Sequence, residues 1–441
     1  MHDSMRDSIP DPPDTQGETV FTWGAPPLKF GAGAADEIGH DVARLGLRRV
    51  LVLTDPRVAA SGLAARIGES LAASGVDHVV YDRVHCEPTD ASLRAAVSAA
   101  AELGADREWD GFVAVGGGSA IDTAKAVNLL TTSGGDVMDY VNKPVGQGRP
   151  PVRPPRPLVA VPTTAGTGSE STPVCVLDIL GLRVKTGISH PSLRPVLAVV
   201  DPLLTLSLPP EVTASAGMDI VCHALESYTA RPYTAHARHA AATRVAYNGS
   251  NPISDVWAER SLALLGRSFR RAVRSGDDLA ARTDMMLAAT FAGMGFGNAG
   301  VHIPHACGYA IAALVRDYRP AGYAADEAMV PHGQSVSLTA PASFRFTFAT
   351  DPERHLRAAS LLGAGGPAAD GSATDRLPAV LVSLMRDIDI PRGAGAVGYG
   401  EGDVGDLVEG ALLQERLLKV APSPVAGDEL AAIFRDSLAN W

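Results

Sequence analysis

In its first half the chain alternates short, unbroken apolar runs with longer stretches of helical period. Arg49-Val50-Leu51-Val52-Leu53-Thr54-Asp55 is the first run, rich in β-branched residues and ended by an acid. A helical stretch, residues 58–73, follows and stops at Gly75, and residues 76–81 read as the next strand. Asp90–Leu103 predicts a helix capped by Thr89 or Asp90. Further strand-length runs cover residues 111–115, 158–161, 174–177 and 196–200, and a Pro-rich linker spans 145–157. Strands that are apolar throughout and separated by helices imply a parallel, doubly wound sheet covered on both faces. Asp201-Pro202 ends it, because proline cannot continue a strand ladder.

From Pro209 onward the strand runs disappear. Ala- and Leu-rich stretches of helical period cover residues 211–228, 254–274, 279–292, 301–316, 332–348, 352–362, 376–388, 404–417 and 428–440. The predicted fold is therefore α/β plus all-α: a Rossmann-like dinucleotide-type domain over residues 30–206, then an all-helical metal-binding domain over 207–441, with the cleft between them. Residues 1–29 form a flexible lead-in on this reading.

A chain of 441 residues exceeds one typical core, which agrees with two domains. A net charge of −11 argues against nucleic acid and anionic membrane as partners. The four cysteines, Cys86, Cys175, Cys222 and Cys307, are scattered without a C-x-x-C, the pattern of a reduced compartment. No apolar run of about 18 residues is present to span a bilayer. Residues 1–16 are polar, acidic and Pro-rich and lack the order of a signal peptide, so a flexible tail and a cytoplasmic protein are expected.

Ligands on such sheets bind at the carboxyl ends of strands. Asp55 stands at one such end and the turn Gly116-Gly117-Gly118-Ser119-Ala120-Ile121-Asp122-Thr123-Ala124-Lys125 at another. Three glycines let backbone N–H groups approach a phosphate, and the following helix offers its positive end. The pattern is neither G-x-G-x-x-G nor a P-loop, and a tight strand-to-helix connection fits it equally. Asp122 fits a first-turn acid, and Lys125 a surface residue. Asp55 fits a partner for a ribose diol, or a helix cap. A second turn, Pro162-Thr163-Thr164-Ala165-Gly166-Thr167-Gly168-Ser169-Glu170, brings several hydroxyls to another strand end. It reads as a second polar contact surface or as a solvated loop.

In the helical half, Asp219 and His223 are four residues apart, which puts both on one helix face. That is half of a metal site, one oxygen and one nitrogen, though a helix acid beside an unrelated core histidine has the same spacing. His302 and His305 follow the Gly-rich run 293–300, and Pro331-His332-Gly333 places another histidine in a turn-like setting. With 12 histidines in the chain, clustering alone is weak evidence; clustering behind a nucleotide-binding half is stronger.

Taken in order, the 116–125 turn, the 162–170 turn, the Asp219/His223 pair and Pro331-His332-Gly333 resemble the iron-containing (group III) alcohol dehydrogenase family. The resemblance runs from about Phe30 to the C-terminus. Within the family the hydroxyacid-oxoacid transhydrogenase branch is most similar, through Glu87-Pro88-Thr89-Asp90, Asp139-Tyr140-Val141-Asn142, Gly249-Ser250-Asn251-Pro252, Gly295-Phe296-Gly297-Asn298 and Pro352-Glu353-Arg354-His355. The resemblance implies a divalent metal, Fe(II) with Zn(II) as the alternative, on Asp219, His223, His305 and His332. It implies NAD on Gly116, Gly117, Gly118, Ser119, Asp122, Thr163, Thr164, Thr167 and Ser169, with Asp55 at the adenosine ribose and Lys185 counted among the cleft residues. The family's relay histidine, four residues beyond its first later ligand, is here Tyr309, leaving Tyr309 or His302 to move the proton. His302 also rivals His305 as a ligand.

The same resemblance implies a homo-oligomer that interconverts 4-hydroxybutyrate and succinate semialdehyde, with 2-oxoglutarate and 2-hydroxyglutarate as the second couple. Lys185, Arg231 and Arg244 are the cations considered for the substrate carboxylate. Three alternatives stay open on sequence: a 4-hydroxybutyrate or alcohol dehydrogenase with freely exchanging NAD, a metal-dependent lyase of the dehydroquinate-synthase kind, and a binding protein without catalysis.

Overall fold

The structure, a computed structural model, describes residues 17–241, 244, 247–323, 327–363 and 372–441. Eight strands are numbered in chain order: β1 Leu28–Phe30, β2 Arg49–Thr54, β3 Asp77–Tyr81, β4 Gly111–Gly116, β5 Leu158–Pro162, β6 Val174–Ile179, β7 Val184–Ser189 and β8 Leu197–Val200. Six of them form one parallel sheet in the order β1-β8-β5-β4-β2-β3. Alternate residues of each strand serve opposite faces. Val50 and Val52 pack on Ile38, Ile67 and Leu71, while Leu51 and Leu53 pack on Ala96, Ile121 and Ala124. This double burial explains why β2 is apolar from Val50 to Leu53 and β4 from Phe112 to Val115.

Several sequence expectations change. Residues 174–177 do form a strand, but β6 pairs antiparallel with β7 in a separate hairpin outside the parallel sheet. β7 escaped notice because Lys185, Thr186 and Gly187 break its apolar pattern. The stretch 58–73 is two helices, Pro56–Ala60 and Leu63–Ala73, broken at Gly62 where φ is +83°. Residues 17–29 are not a loose lead-in. Gly17 bridges Ala237, the Gly24 N–H donates to Asn298 at 3.0 Å, and β1 pairs with β8. The tail 1–16 lies outside the described residues.

The second half is helical among the described residues. Its long helices are Pro210–Thr229, Pro252–Arg274, Leu279–Ala299, Ile303–Ala313, His332–Thr347, Pro352–Leu361 and Arg376–Asp387. The stretch 404–417 divides into Val404–Leu412 and Glu415–Leu418. The Gly-rich run 293–300 is not a loop: all but its last residue extends the helix Leu279–Ala299. Helix-interior glycine costs about 1 kcal/mol against alanine, and here closeness offsets that cost. A Cβ on Gly293 would stand 2.8 Å from the Gly168 carbonyl oxygen. The missing side chain lets this helix press its backbone onto the 162–170 turn of the sheet domain.

Candidate metal centre and cofactor cleft

Pro210 opens the helix Pro210–Thr229 at its first position, and residues 217–229 are buried on every side. It is the axis of the helical domain, so Asp219 and His223 project into protein rather than water. His305 comes from the first turn of Ile303–Ala313, and His332 is the first residue of His332–Thr347. Two glycines let these helices converge. A Cβ on Gly333 would lie 1.9 Å from the Ser215 carbonyl oxygen, and one on Gly308 would lie 2.7 Å from Val336 Cα. The turn-like setting expected for His332 is thus a helix start.

Asp219 Oδ1 stands 3.6 Å from Nε2 of each of His223, His305 and His332. One ligand atom from each of the four residues lies within 4.8 Å of all the others. Four ligands about 2.1 Å from a shared tetrahedral centre stand about 3.4 Å apart, so the spacing suits a cation. The hydrogen-bond count agrees. Asp219 Oδ1 and His305 Nε2 are fully buried and have no hydrogen-bond partner, a costly arrangement unless something else satisfies them. The residues present therefore fit a divalent metal.

Glu226, one more turn along the same helix face, orients the set. Its Oε2 accepts a short hydrogen bond from His305 Nδ1, and its Oε1 accepts the backbone N–H groups of His302 at 2.8 Å and His305 at 3.1 Å. A carboxylate on Nδ1 fixes the tautomer that turns the Nε2 lone pair inward. Phe296 stacks on His223 at 3.9 Å between ring centroids, interplanar angle 8°, and holds that ring in plane. Burial alone would raise the Asp219 carboxyl, but His223, His332 and His305 outweigh it and hold it well below its usual range. Burial pushes His223 down to about 3 and also lowers His332. Burial pulls His305 the same way, yet Glu226 and Asp219 lift it to about 9. The set thus offers a carboxylate and two neutral imidazoles outright, and His305 once its Nε2 proton leaves.

His302 is three residues from His305 but faces elsewhere. Its Nδ1 accepts the Ile303 N–H at 2.8 Å, capping its helix, and its Nε2 lies 3.1 Å from Thr229 Oγ1. It does not line the cavity, and burial pushes it down to about 4. Both ring nitrogens are occupied, so the structure does not give His302 a ligand or relay position.

The sheet reverses its direction of growth between β2 and β4, the crevice where ligands sit on open α/β sheets. Asp55 lies there as an N-cap, its Oδ1 accepting from the N–H groups of Arg57 and Val58. The glycine turn follows β4, with Gly117 capping the helix Gly118–Ser133. A Cβ on Gly118 would be 2.6 Å from Thr167 Cγ2, and one on Gly117 3.2 Å from Thr164 Oγ1, so the two turns interlock. The Thr163 N–H donates to Gly116 O at 3.0 Å.

Lys125 is not a surface residue. It is 1% exposed, and its Nζ donates to Ser169 O at 2.8 Å, Ser169 Oγ at 2.7 Å and Val174 O at 2.6 Å. Asp122 Oδ2 accepts the Val176 N–H at 2.8 Å. Asp122 and Lys125 therefore tie the two turns to β6. One cavity joins Gly118, Ser119, Asp122, Thr167 and Ser169 to His223, His305 and His332. Gly116, Gly117, Asp55, Thr163 and Thr164 do not line it.

Lys185 also lines the cavity, but its Nζ is held by Glu87 at 2.6 Å and Asp178 at 2.9 Å. Tyr309 lines it too, 5.7 Å from the His332 ring. Arg231 and Arg244 do not line it. Sequence reading missed Glu226, Glu87, Phe296, Tyr247 and Arg416. Glu226 was accessible, since positions 219, 223 and 226 share one helix stripe. The others had no local signal.

The chain belongs to the iron-containing alcohol dehydrogenase family: residues 26–202 match its N-terminal domain, and residues 213–438 match the family's C-terminal domain. It is an oxidoreductase acting on CH–OH groups, which removes the lyase and the non-catalytic alternatives. Among relatives, it is 44% identical over 95% of its length to the mitochondrial hydroxyacid-oxoacid transhydrogenase of Bos taurus, covering 90% of that protein. Among solved structures, it superposes on a 1,3-propanediol oxidoreductase with TM-score 0.81, 29% identity and coverage of 95% and 100%. It also superposes on the NAD+ complex of sulfoacetaldehyde reductase from Bifidobacterium kashiwanohense, with TM-score 0.77, 26% identity and coverage of 94% and 98%.

Proposed function

We propose that this chain is a hydroxyacid-oxoacid transhydrogenase. It would oxidise 4-hydroxybutyrate to succinate semialdehyde and reduce 2-oxoglutarate to 2-hydroxyglutarate, with NAD retained in the cleft and Fe(II) on Asp219, His223, His305 and His332. The observation that carries the reading is the single cavity joining those donors to the glycine turn, in a chain 44% identical over 95% of its length to a protein of that name. When bound, the metal supplies Lewis acidity and the nicotinamide supplies hydride chemistry.

The protein's own part is placement. Gly118, Ser119 and Thr167 cradle phosphate, Asp122 and Lys125 keep the cradle rigid, and Phe296 closes one side of the cavity. Tyr309 takes the proton-handling position in place of a histidine. Burial raises its phenol far above the ordinary value, so it keeps its O–H and donates a hydrogen bond to the substrate oxygen.

The Bos taurus relative is named as a mitochondrial protein. For this chain, four free thiols, three of them buried, support a reducing compartment such as the cytoplasm. Among the described residues no helix is long and apolar enough to cross a membrane. A homo-oligomer remains part of the proposal.

The test is a spectral assay on purified, dialysed protein. Hydroxyacid alone should reduce one equivalent of bound nicotinamide, and 2-oxoglutarate should then reoxidise it. Turnover that needs free NAD and ignores 2-oxoglutarate would instead indicate a dehydrogenase with exchanging cofactor.

A further inference from the structure

We infer that Arg416 is the receptor for the substrate's distal carboxylate. The inference takes its substrates from the reading above, while the anion site itself rests on the cavity's own charges.

Two long-chain cations line the cavity, and they differ in what already holds them. Lys185 sits between Glu87 and Asp178, so the group carries a net negative charge. It repels a carboxylate rather than binding one. Arg416 has no such partner. Among the described residues no carboxylate or carbonyl pairs with its guanidinium, and its neighbour Glu415 pairs instead with Lys419. The guanidinium carbon lies 4.3 Å from the centroid of the Tyr247 ring, which also lines the cavity. Stacking on an aromatic face leaves the planar N–H fork free at its edge, the geometry that grips a carboxylate in a bidentate manner.

The fork is also held in place. Arg416 lies on the short helix Glu415–Leu418. Gln414, just before it, donates from Nε2 to Lys185 O at 2.9 Å. Leu417, just after it, packs with Tyr309, Tyr247 and Phe296. The backbone is thus pinned to both the β6–β7 hairpin and the metal-side cluster. Tyr309, which lines the same cavity, lies 6.3 Å from the His305 ring and feels the positive charge of Arg416. A substrate whose oxygen meets Tyr309 and the four-ligand centre can extend toward Arg416.

One receptor suffices for both couples. In 4-hydroxybutyrate the carbinol carbon is separated from the carboxylate by two methylenes. In 2-oxoglutarate the ketone carbon is separated from its distal carboxylate by the same two methylenes. A fixed cation therefore puts either reacting carbon at the same point, as successive use of one retained nicotinamide requires.

The test compares 4-hydroxybutyrate with butane-1,4-diol, which replaces the carboxylate by an uncharged CH2OH. The readout is the rate at which each alcohol reduces nicotinamide in NAD-loaded protein with no acceptor present. Arg416→Gln should lower the ratio of hydroxyacid to diol efficiency about 100-fold, and Arg416→Lys should restore part of it. Succinate titrated by calorimetry should bind the wild type, and at least about tenfold more weakly to Arg416→Gln. A parallel fall for both alcohols, or unchanged succinate binding, would overturn the assignment. A wild type that ignores 2-oxoglutarate yet keeps an Arg416-dependent preference for the hydroxyacid would end the transhydrogenase reading and uphold Arg416. A wild type that neither binds succinate nor prefers the hydroxyacid would overturn Arg416 itself.

Discussion

Glu226 shows what a single buried residue contributes when it is not itself one of the metal donors. It is fully buried, and both carboxylate oxygens are committed, one to the His305 ring and one to two backbone N–H groups. Glu226→Gln keeps the shape but loses the charge and must turn either an amide N–H or a weaker acceptor toward His305. Metal affinity should fall about 10–100-fold, read by competition with a chelator, with the fold retained. His223→Ala goes further: it removes a donor outright, so metal content and turnover should both vanish while the far-ultraviolet circular dichroism is unchanged. Retained metal in His223→Ala would mean that the four-residue set is misassigned.

At the scale of elements, the contact between the helix Leu279–Ala299 and the 162–170 turn joins the two halves of the site. Gly168 has φ +58°, and its Cβ position lies 2.8 Å from Gly293 Cα. Gly293→Ala should force the helix off the turn, destabilising the protein by about 1–3 kcal/mol in urea unfolding. The same change should loosen NAD, because Ser169 and Thr167 ride on that turn. Alanine at Gly405, where a Cβ meets open space, should leave both unaffected. A Gly293→Ala protein with normal stability and normal NAD retention would show that this approach is not needed.

At the scale of the whole molecule, the cavity lies where the carboxyl ends of β4 and β5 meet the helical domain. Retention of the nicotinamide across turnovers is a property of that closure. Protein dialysed exhaustively should still turn over 4-hydroxybutyrate with 2-oxoglutarate and gain less than about twofold from added NAD. This is measured as succinate semialdehyde formed per protein, and a strict requirement for added NAD would refute retention. What the chain determined by itself was whatever depends on neighbours in sequence. Short unbroken apolar runs and the 3.6-residue period separated an α/β half from an all-α half, and the spacing of Asp219 and His223 set one helix face. Glycine-rich strand ends were legible because only glycine tolerates such close backbone approach. The tertiary structure decided what depends on convergence. It chose His305 over His302, although both belong to the same helix start, because the Glu226 carboxylate turns one ring inward and Thr229 holds the other away. It moved β6 out of the parallel sheet, buried Lys125, and brought Arg416 to a cavity whose metal donors begin nearly two hundred residues earlier. Local pattern reports which face a side chain takes on its own element. Which elements then meet is set by packing between residues far apart in the chain, and no window along the sequence contains both partners.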